Sequence, residues 1–280
     1  MKTIKDLHLF SINTLKENNE ILSPKKDAEI LMCYVLNMSR PDLYLNYDRE
    51  IDDLKIKEIN EVINKRKSLI PVAYITKKID FYDYEFMIEE GVFIPRKETE
   101  VLIDIVIKHL FFKNIYWFLD LGTGCGAILC SLLKIFKESY GIGIDKCLKA
   151  LSIAQKNGEI LKIDNRIKWV CSDWFNGINE NIKFDCIVAN PPYVASFSLL
   201  QKEVKEFEPL SALISKDSGL FDIKIILREL KRYLRKGGIF IAEIAEYNTD
   251  RILAMVRDDF SNYNIEKDLA GRDRFLKIIL

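Results

Sequence analysis

From about residue 98 onward, short apolar runs alternate with helical patterns, and this alternation restricts the possible folds more than any other feature of the chain. Strands that alternate with helices predict a mainly parallel sheet with helices on both faces. We therefore expect an α/β domain. The strand-like runs are IYWFLDLG, YGIGID, RIKWVCSD, FDCIVAN, IFIAEIA and RFLKIIL, and the helical patterns are AILCSLLKIF, CLKALSIAQKN and residues 219–235.

The first 70 residues show helical spacing instead. Ser23 followed by Pro24 is typical of a helix start, and a second helical pattern ends before Pro71. Between about 71 and 95, Tyr, Phe and Ile with short polar interruptions indicate a strand pair. We expect a helical domain at 1–70, a β-hairpin linker at 71–95 and the α/β domain at 96–280. The helical spacing is that of Ala28, Leu31, Met32, Val35 and Leu36, and of Leu54, Ile59, Val62 and Ile63.

Charge, cysteine and histidine content argue against several classes of function. Lys and Arg total 42, as do Asp and Glu, so the balance does not favour binding of nucleic acid through its phosphates. The six cysteines form no C-x-x-C pair, which predicts reduced thiols in a cytoplasmic protein without a metal site. His8 and His109 lie in apolar helical stretches, which argues against histidine-based catalysis. The opening MKTIKDLHLF lacks the apolar core of a signal peptide, and the apolar runs are too short to span a membrane, so we expect no membrane partner. No helical pattern shows an uncovered apolar face, so we expect a monomer.

A glycine-rich loop, DLGTGCG, follows the first strand of the α/β pattern. Ligands in open α/β sheets bind at the carboxyl ends of the strands. Gly122, Gly124 and Gly126 let the backbone turn tightly and approach a ligand, and they flank Thr123 and Cys125. A dinucleotide fold prefers G-x-G-x-x-G, whereas G-x-G-x-G without a following lysine is similar to the S-adenosylmethionine loop of class I methyltransferases. The alternative is a turn with packing duties alone.

Acidic residues at the next two strand ends extend this predicted nucleoside site. Asp145 ends the second strand about twenty residues after the loop, where a carboxylate can accept hydrogen bonds from both ribose hydroxyls. Asp173 and Trp174 follow the third strand, where Asp173 can accept from an adenine amino group and Trp174 can lie beside the base. The alternatives are helix capping by the aspartates and a core position for Trp174. Nicotinamide enzymes use the same ribose acid.

The fourth strand ends in Asn190-Pro191-Pro192-Tyr193. A planar primary amide or exocyclic amine has two N–H donors that point apart, and the Asn190 side-chain oxygen and the Pro191 carbonyl supply two acceptors for them. The two prolines restrict the backbone here, so the acceptors are preorganised. Tyr193 can lie against the planar group. Fixing both hydrogens aims a weakly nucleophilic nitrogen at an electrophilic methyl group; a structural turn alone is the alternative.

Together these motifs resemble the bacterial release factor glutamine N5-methyltransferases, the PrmC/HemK family. N-P-P-Y is shared with N6-adenine DNA methyltransferases, but further stretches are similar to the glutamine enzymes specifically. The helical N-terminus, with DAEILM and Ser39-Arg40, resembles the small substrate-docking domain of that family. The further stretches are PVAYI at 71–75, VFIPRKETE at 92–100, Phe207-Glu208-Pro209 with Ala212-Leu213, and DLAGRDR at 268–274.

The resemblance implies a Rossmann-like, mostly parallel seven-stranded sheet joined by a β-hairpin to the helical domain. It implies methyl transfer from S-adenosylmethionine, leaving S-adenosylhomocysteine, to the glutamine of the Gly-Gly-Gln loop in class 1 release factors, with no metal and no direct nucleic acid contact. Carried over by position, the cofactor site comprises Gly122, Thr123, Gly124, Cys125, Gly126, Asp145, Asp173, Trp174 and Asn190, and the glutamine site comprises Asn190, Pro191, Pro192 and Tyr193.

The chain departs from the family pattern at three positions. Lys97 replaces a proline, Cys125 stands where Ser is frequent, and Ala245 replaces a common glycine. Two other functions fit parts of the sequence. An N6-adenine methyltransferase acting on DNA or RNA would show a basic face, and a catalytically silent methyltransferase fold that serves as a binding module would have lost the loop, Asp145 or N-P-P-Y. A nicotinamide oxidoreductase disagrees with the loop spacing.

Overall fold

The computed structural model of the chain describes residues 2–110 and 114–280. Two compact units are present: a helical unit of Met1–Lys78 with Gln201–Glu208, and an α/β unit of Ile79–Leu200 with Pro209–Leu280. The boundaries expected at 70 and 95 stay a prediction, and residues 111–113 of the expected third part lie outside the described residues. The segment Gln201–Glu208 belongs to the helical unit although it follows that unit by more than a hundred positions in the chain.

The helical unit packs short helices around one apolar core, which confirms the helical N-terminus. Thr3 and Asp6 form a reciprocal capping box at the first helix, and the second begins at Pro24 as expected. Leu54 is 76% exposed, so its place in the apolar pattern does not make it a core residue. Numbered in chain order, the elements are β1 (Lys2–Thr3), α1 (Ile4–Lys16), α2 (Pro24–Leu36), α3 (Arg40–Leu45), β2 (Glu50–Ile51), α4 (Asp53–Lys67), α5 (Val72–Thr76) and α9 (Lys202–Phe207).

The expected hairpin is shorter than the sequence suggested. Strands β3 (Lys78–Phe81) and β4 (Tyr84–Met87) pair with each other across Tyr82 and Asp83. These two residues have φ of 45° and 63°, the left-handed pair that a two-residue hairpin turn requires. Residues 72–76 form α5, a short helix with Pro71 at its N-cap, rather than part of a strand.

A seven-stranded sheet organises the α/β unit and confirms the predicted fold class. Its strand order is β10-β11-β9-β8-β5-β6-β7. Strands β9, β8, β5, β6 and β7 run parallel, β11 runs antiparallel to β9, and the edge strand β10 pairs antiparallel with β11 and so points the same way as the other five. The strands are β5 (Trp117–Leu121), β6 (Tyr140–Asp145), β7 (Ile167–Cys171), β8 (Phe184–Ala189), β9 (Leu234–Glu243), β10 (Tyr263–Lys267) and β11 (Asp273–Ile279). The sequence pattern did not indicate β10.

The order of strands reverses between β5 and β8. The chain moves outward from β5 through β6 to β7, then returns to β8 on the other side of β5. This reversal is the switch point at which open sheets bind ligands. All six residues of β8 are buried, which places this strand between two covered faces.

Helices join or follow these strands. They are α6 (Glu100–His109), α7 (Ala127–Ile135), α8 (Leu148–Ile160), the short turn α10 (Lys216–Gly219), α11 (Phe221–Tyr233) and α12 (Thr249–Val256). Among the described residues, no helix combines the length and apolar character needed to cross a membrane. All six cysteines lie in the described part of the chain and are free thiols.

Candidate active site

A cleft of about 1000 Å³ of empty space, part of it open to solvent, lies within the α/β unit at the switch point. Most of the predicted site residues line it: Gly122, Thr123, Gly124, Cys125, Asp145, Asp173, Trp174, Asn190 and Pro192. Gly126, Pro191 and Tyr193 lie outside this lining. The fold thus brings the predicted cofactor loop and the N-P-P-Y segment to one cleft.

The glycine loop has the shape of a ligand cradle. Gly122, Gly124 and Gly126 all adopt left-handed backbone, with φ of 73°, 57° and 82°. A Cβ on Gly124 would meet nothing within 4 Å, so this turn leaves open space on its surface. A Cβ on Gly126 would lie 2.9 Å from the Trp169 ring and 3.1 Å from the Ala154 Cβ. The absence of a side chain at Gly126 therefore allows close packing against β7 and α8, whereas Gly122 and Gly124 line the cleft.

Asp145 ends β6 and stabilises the glycine loop. Its Oδ2 accepts the Gly124 backbone N–H at 2.9 Å, and its Oδ1 accepts the Cys147 N–H at 2.8 Å. Burial raises the pKa of this carboxyl group. Each carboxylate oxygen can accept more than one hydrogen bond, so both stay able to accept from a ribose. Asp145 thus orders the backbone at the start of α8 and faces the cleft, and ribose binding stays a prediction.

Asp173 and Trp174 occupy the wall of the same cleft. Asp173 is exposed, and Trp174 is buried with a φ of 47°. A Cβ on Gly122 would lie 3.5 Å from the Trp174 ring, so the ring packs against the glycine loop. Trp174 also belongs to the apolar core of the sheet. Trp174 is therefore both a core residue and part of the cleft wall, so the two interpretations of its role are compatible.

Asn190 is held by a hydrogen bond that the sequence did not reveal. Its Nδ2 donates to Thr99 Oγ1 at 3.3 Å, and the Thr99 hydroxyl donates to Glu243 Oε2 at 2.6 Å. Because the Asn190 amino group contacts Thr99, its Oδ1 is left as an acceptor at the cleft. Glu243 is the last residue of β9 and is 1% exposed.

Tyr193 binds the same carboxylate. Its hydroxyl donates to Glu243 Oε1 at 2.9 Å, and burial raises the pKa of that hydroxyl far above its usual value. Since Tyr193 lies outside the cleft lining, its stacking on a planar substrate group stays a prediction, and the observed contact is the one with Glu243. The backbone after it is also fixed: the Tyr247 hydroxyl donates to the Tyr193 carbonyl at 2.8 Å and accepts the Ala195 N–H at 3.1 Å.

Sequence reasoning missed Thr99, Glu243, Gly219 and Tyr247. Gly219 has a φ of 89°, and a Cβ there would collide with the Tyr193 carbonyl oxygen. A signal was available for two of them, because Thr99 lies in VFIPRKETE and Glu243 is an acidic residue that ends a buried strand. No local pattern, however, pairs residues that are 144 positions apart.

The two backbone departures from the family pattern have ordinary conformations here. Ala245 has a φ of −82°, which any residue adopts. Arg96, before Lys97, is extended at φ −100° and ψ 147°, the conformation that a following proline would require. Neither substitution distorts the backbone beside the site.

Comparison with known proteins gives consistent relatives. The PrmC N-terminal domain family matches residues 10–76, and a methyltransferase domain family matches residues 113–278. The release factor glutamine methyltransferase of Clostridium acetobutylicum is 32% identical, covering 97% of this chain and 96% of its own. The enzyme of Francisella tularensis is 32% identical, covering 99% of this chain and 98% of its own. The enzyme of Buchnera aphidicola subsp. Schizaphis graminum is 35% identical, covering 93% of this chain and 94% of its own.

Solved structures agree on the fold. The hMettl16 catalytic domain in complex with MAT2A 3′UTR hairpin 6 is 14% identical with a TM-score of 0.55, covering 81% of each chain. The T. thermophilus 16S rRNA N2 methyltransferase in complex with AdoMet and guanosine is 20% identical with a TM-score of 0.50, covering 72% of this chain and 49% of its own. At these identities the likeness shows the fold alone.

Proposed function

This chain belongs to the release factor glutamine methyltransferase family, and we propose that it methylates the side-chain amide nitrogen of the glutamine in the Gly-Gly-Gln loop of class 1 release factors. The observation that carries the proposal is the Asn190 amide at the wall of the glycine-loop cleft. Its amino group is bonded to Thr99, which leaves its oxygen to accept a substrate N–H.

The cleft residues fit S-adenosylmethionine, which supplies an electrophilic methyl group when bound. Gly124 leaves open space beside the backbone for the amino-acid portion, Asp145 has acceptor capacity for the ribose, and Asp173 with Trp174 lies where the adenine is expected. S-adenosylhomocysteine is the expected product. Because a sulfonium methyl is already electrophilic, the proposed reaction requires no metal.

Asn190 and Pro191 orient the substrate amide. The Asn190 oxygen and the Pro191 carbonyl each accept one N–H, so the nitrogen is aimed while its hydrogens are held. Proline restricts this segment, which reduces the ordering needed on binding. An amide loses its proton readily once it is alkylated, so water suffices as the final acceptor and no enzyme base is required.

We propose that the helical unit docks the release factor. The support is the match of residues 10–76 to the PrmC N-terminal domain family. The balanced charge, with 42 basic and 42 acidic residues, favours a protein partner over a nucleic acid backbone. A monomer located in the cytoplasm, where release factors act, completes the proposal.

Labelled S-adenosylmethionine and a purified class 1 release factor test this function. We expect label on the Gly-Gly-Gln glutamine with wild-type enzyme, and none with a factor in which that glutamine is changed. Asn190→Ala should reduce transfer by about 10²–10³-fold, the usual effect of removing one preorganised hydrogen-bond partner. Asn262→Ala, an exposed asparagine of the same unit, serves as the matched control and should retain full activity.

Other outcomes would overturn the proposal in distinct ways. Label on DNA or RNA but not on the factor would establish the adenine chemistry instead. Cofactor binding with no transfer to any substrate would establish the silent binding module.

A further inference from the structure

Glu243 is a buried carboxylate beside the proposed glutamine site that the reaction does not use directly. It is 1% exposed and accepts hydroxyl hydrogen bonds from Thr99 at 2.6 Å and from Tyr193 at 2.9 Å. The Nη1 atom of Arg274 lies 4.0 Å from Glu243 Oε1. One carboxylate is therefore linked to both ends of the N-P-P-Y segment, to Tyr193 directly and to Asn190 through Thr99.

The orientation of the Asn190 amide matters for the proposed chemistry. An asparagine side chain can present either its oxygen or its amino group to a ligand, and only the oxygen can accept a substrate N–H. Thr99 decides between these orientations. Its single hydroxyl hydrogen is donated to Glu243, so towards Asn190 it can only accept, and it therefore selects the Asn190 amino group.

We propose that Glu243 and Thr99 are positioning residues for methyl transfer: the carboxylate polarises the Thr99 hydroxyl in one direction, and this keeps the Asn190 oxygen facing the cleft. The inference rests on the proposed function and deepens it, since it explains why Asn190 is a hydrogen-bond acceptor. The second oxygen of Glu243 holds Tyr193 and so fixes the other end of the same segment.

The charge state of Glu243 is part of this arrangement. Burial raises the pKa of its carboxyl group. The groups that face it are Thr99 and Tyr193, which donate to it, Arg274, whose charge lowers its pKa, and Glu98, whose charge raises it. A protonated Glu243 can donate to Thr99, which frees the Thr99 hydrogen for the Asn190 oxygen and reverses the amide. Transfer is thus expected to fall as pH falls through the Glu243 pKa.

A pair of Thr99 variants tests the direction of this relay. Thr99→Val keeps the shape and removes the hydroxyl, whereas Thr99→Ser keeps the hydroxyl. We expect Thr99→Val to reduce kcat about 10–100-fold, as misplacement of a positioned group does, with cofactor affinity unchanged. Thr99→Ser should stay within about threefold of wild type. In the Asn190→Ala background, Thr99→Val should reduce kcat by less than about twofold, because the Asn190 amide that Thr99 orients is absent.

The Asn190 side-chain amide gives a readout that does not depend on activity. Its ¹⁵N–¹H₂ resonances, assigned by their loss in Asn190→Ala, should show slow hydrogen exchange in wild type and Thr99→Ser and fast exchange in Thr99→Val and Glu243→Gln. The proposal is wrong if Thr99→Val keeps slow exchange, if Thr99→Ser is as impaired as Thr99→Val, or if the two kinetic effects add. If release factors are not substrates at all, the exchange result still decides the orientation of the amide.

Discussion

Arg66 of the helical unit and Glu243 of the α/β unit are both buried charges, but they are neutralised in different ways. Arg66 is 5% exposed; its Nε lies 2.7 Å from Asp27 and its Nη2 lies 2.7 Å from Glu203. Glu243 instead accepts from two neutral hydroxyls, and Arg274 is 4.0 Å away. The first charge lies within hydrogen-bond distance of both counterions, whereas the second is hydrogen-bonded to neutral groups and has its cation at the longer distance of 4.0 Å.

This difference separates a charge that stabilises a fold from one that orients a site. The Arg66 pairs join α2, α4 and α9, so they fasten Gln201–Glu208 to the helical unit. Buried ion pairs are strongly destabilising when one partner is removed. Glu243 binds hydroxyls that can rotate, and its raised pKa is typical of a carboxylate at a functional site.

The largest expected effect is on the stability of the helical unit. Arg66→Met leaves the buried Asp27 carboxylate without its cation. We therefore expect a loss of about 3–5 kcal/mol in the free energy of unfolding. Denaturation followed by far-UV circular dichroism should show an early transition. Fluorescence should not, because Trp117, Trp169 and Trp174, the three tryptophans, belong to the α/β unit.

Lys67→Met is the matched control on the same helix. Its ion pair with Glu17 is exposed, at 39% and 63% for the two side chains, so we expect a change of about 0–1 kcal/mol. Equal losses for Arg66→Met and Lys67→Met would contradict the distinction between buried and exposed pairs.

A buried carboxylate with a hydroxyl partner should make stability fall with rising pH. Asp120 accepts from Thr123 at 2.6 Å, and burial raises its pKa to about 7 from 3.8. Its neutral form is favoured on folding, so its contribution is complete below pH 3.8 and is lost as pH rises through about 7. Asp120→Asn should flatten this decline by roughly 2–4 kcal/mol in urea titrations across that range.

Asp6 of the helical unit should make stability change with pH in the opposite direction, rising as pH rises. Its capping bonds with Thr3 lower its pKa, so its contribution is present above 3.8 and is lost as pH falls through the lower folded pKa. An Asp120→Asn variant whose stability declines with pH as steeply as wild type would remove Asp120 from this account.

A close backbone contact beside Tyr193 should couple stability and activity. Gly219→Ala places a Cβ against the Tyr193 carbonyl at a φ of 89°, and we expect a loss of about 2–3 kcal/mol and slower methyl transfer. Gly237→Ala has a similar φ of 76° with nothing within 4 Å, so it isolates the backbone strain. It should lose about 1 kcal/mol with transfer unchanged; slowed transfer in this control would show that strain alone accounts for Gly219.

The smallest effects are expected where the chain departs from its family. Lys97→Pro removes an ion pair between the exposed Lys97 and the half-buried Glu100, and the extended backbone of Arg96 accepts a following proline. We expect changes below about 1 kcal/mol in stability and below about twofold in transfer rate. A larger loss in the labelled-methyl assay would mean that the Lys97 side chain acts on the site.

The sheet and the cleft were readable from sequence because their signals are local. Strands buried on both faces appear as apolar runs, and Gly122 and Gly124 mark a turn by residue type alone. Strand β10 was missed because it is a partly exposed edge strand of five residues in which only Tyr263 and Ile265 are apolar, so its pattern is short. Thr99, Glu243 and the Gln201–Glu208 segment were missed because their contacts join distant parts of the chain.

The most direct test measures the free energy of unfolding and the methyl-transfer rate constant on the same preparations of Arg66→Met and Thr99→Val. Arg66→Met should lose about 3–5 kcal/mol, while its folded fraction transfers methyl groups at saturating release factor as fast as wild type. Thr99→Val should lose only about 1–2 kcal/mol from the unsatisfied Glu243 oxygen but slow about 10–100-fold. A Thr99→Val enzyme with the wild-type rate constant would contradict the distinction between a charge that stabilises and a charge that orients.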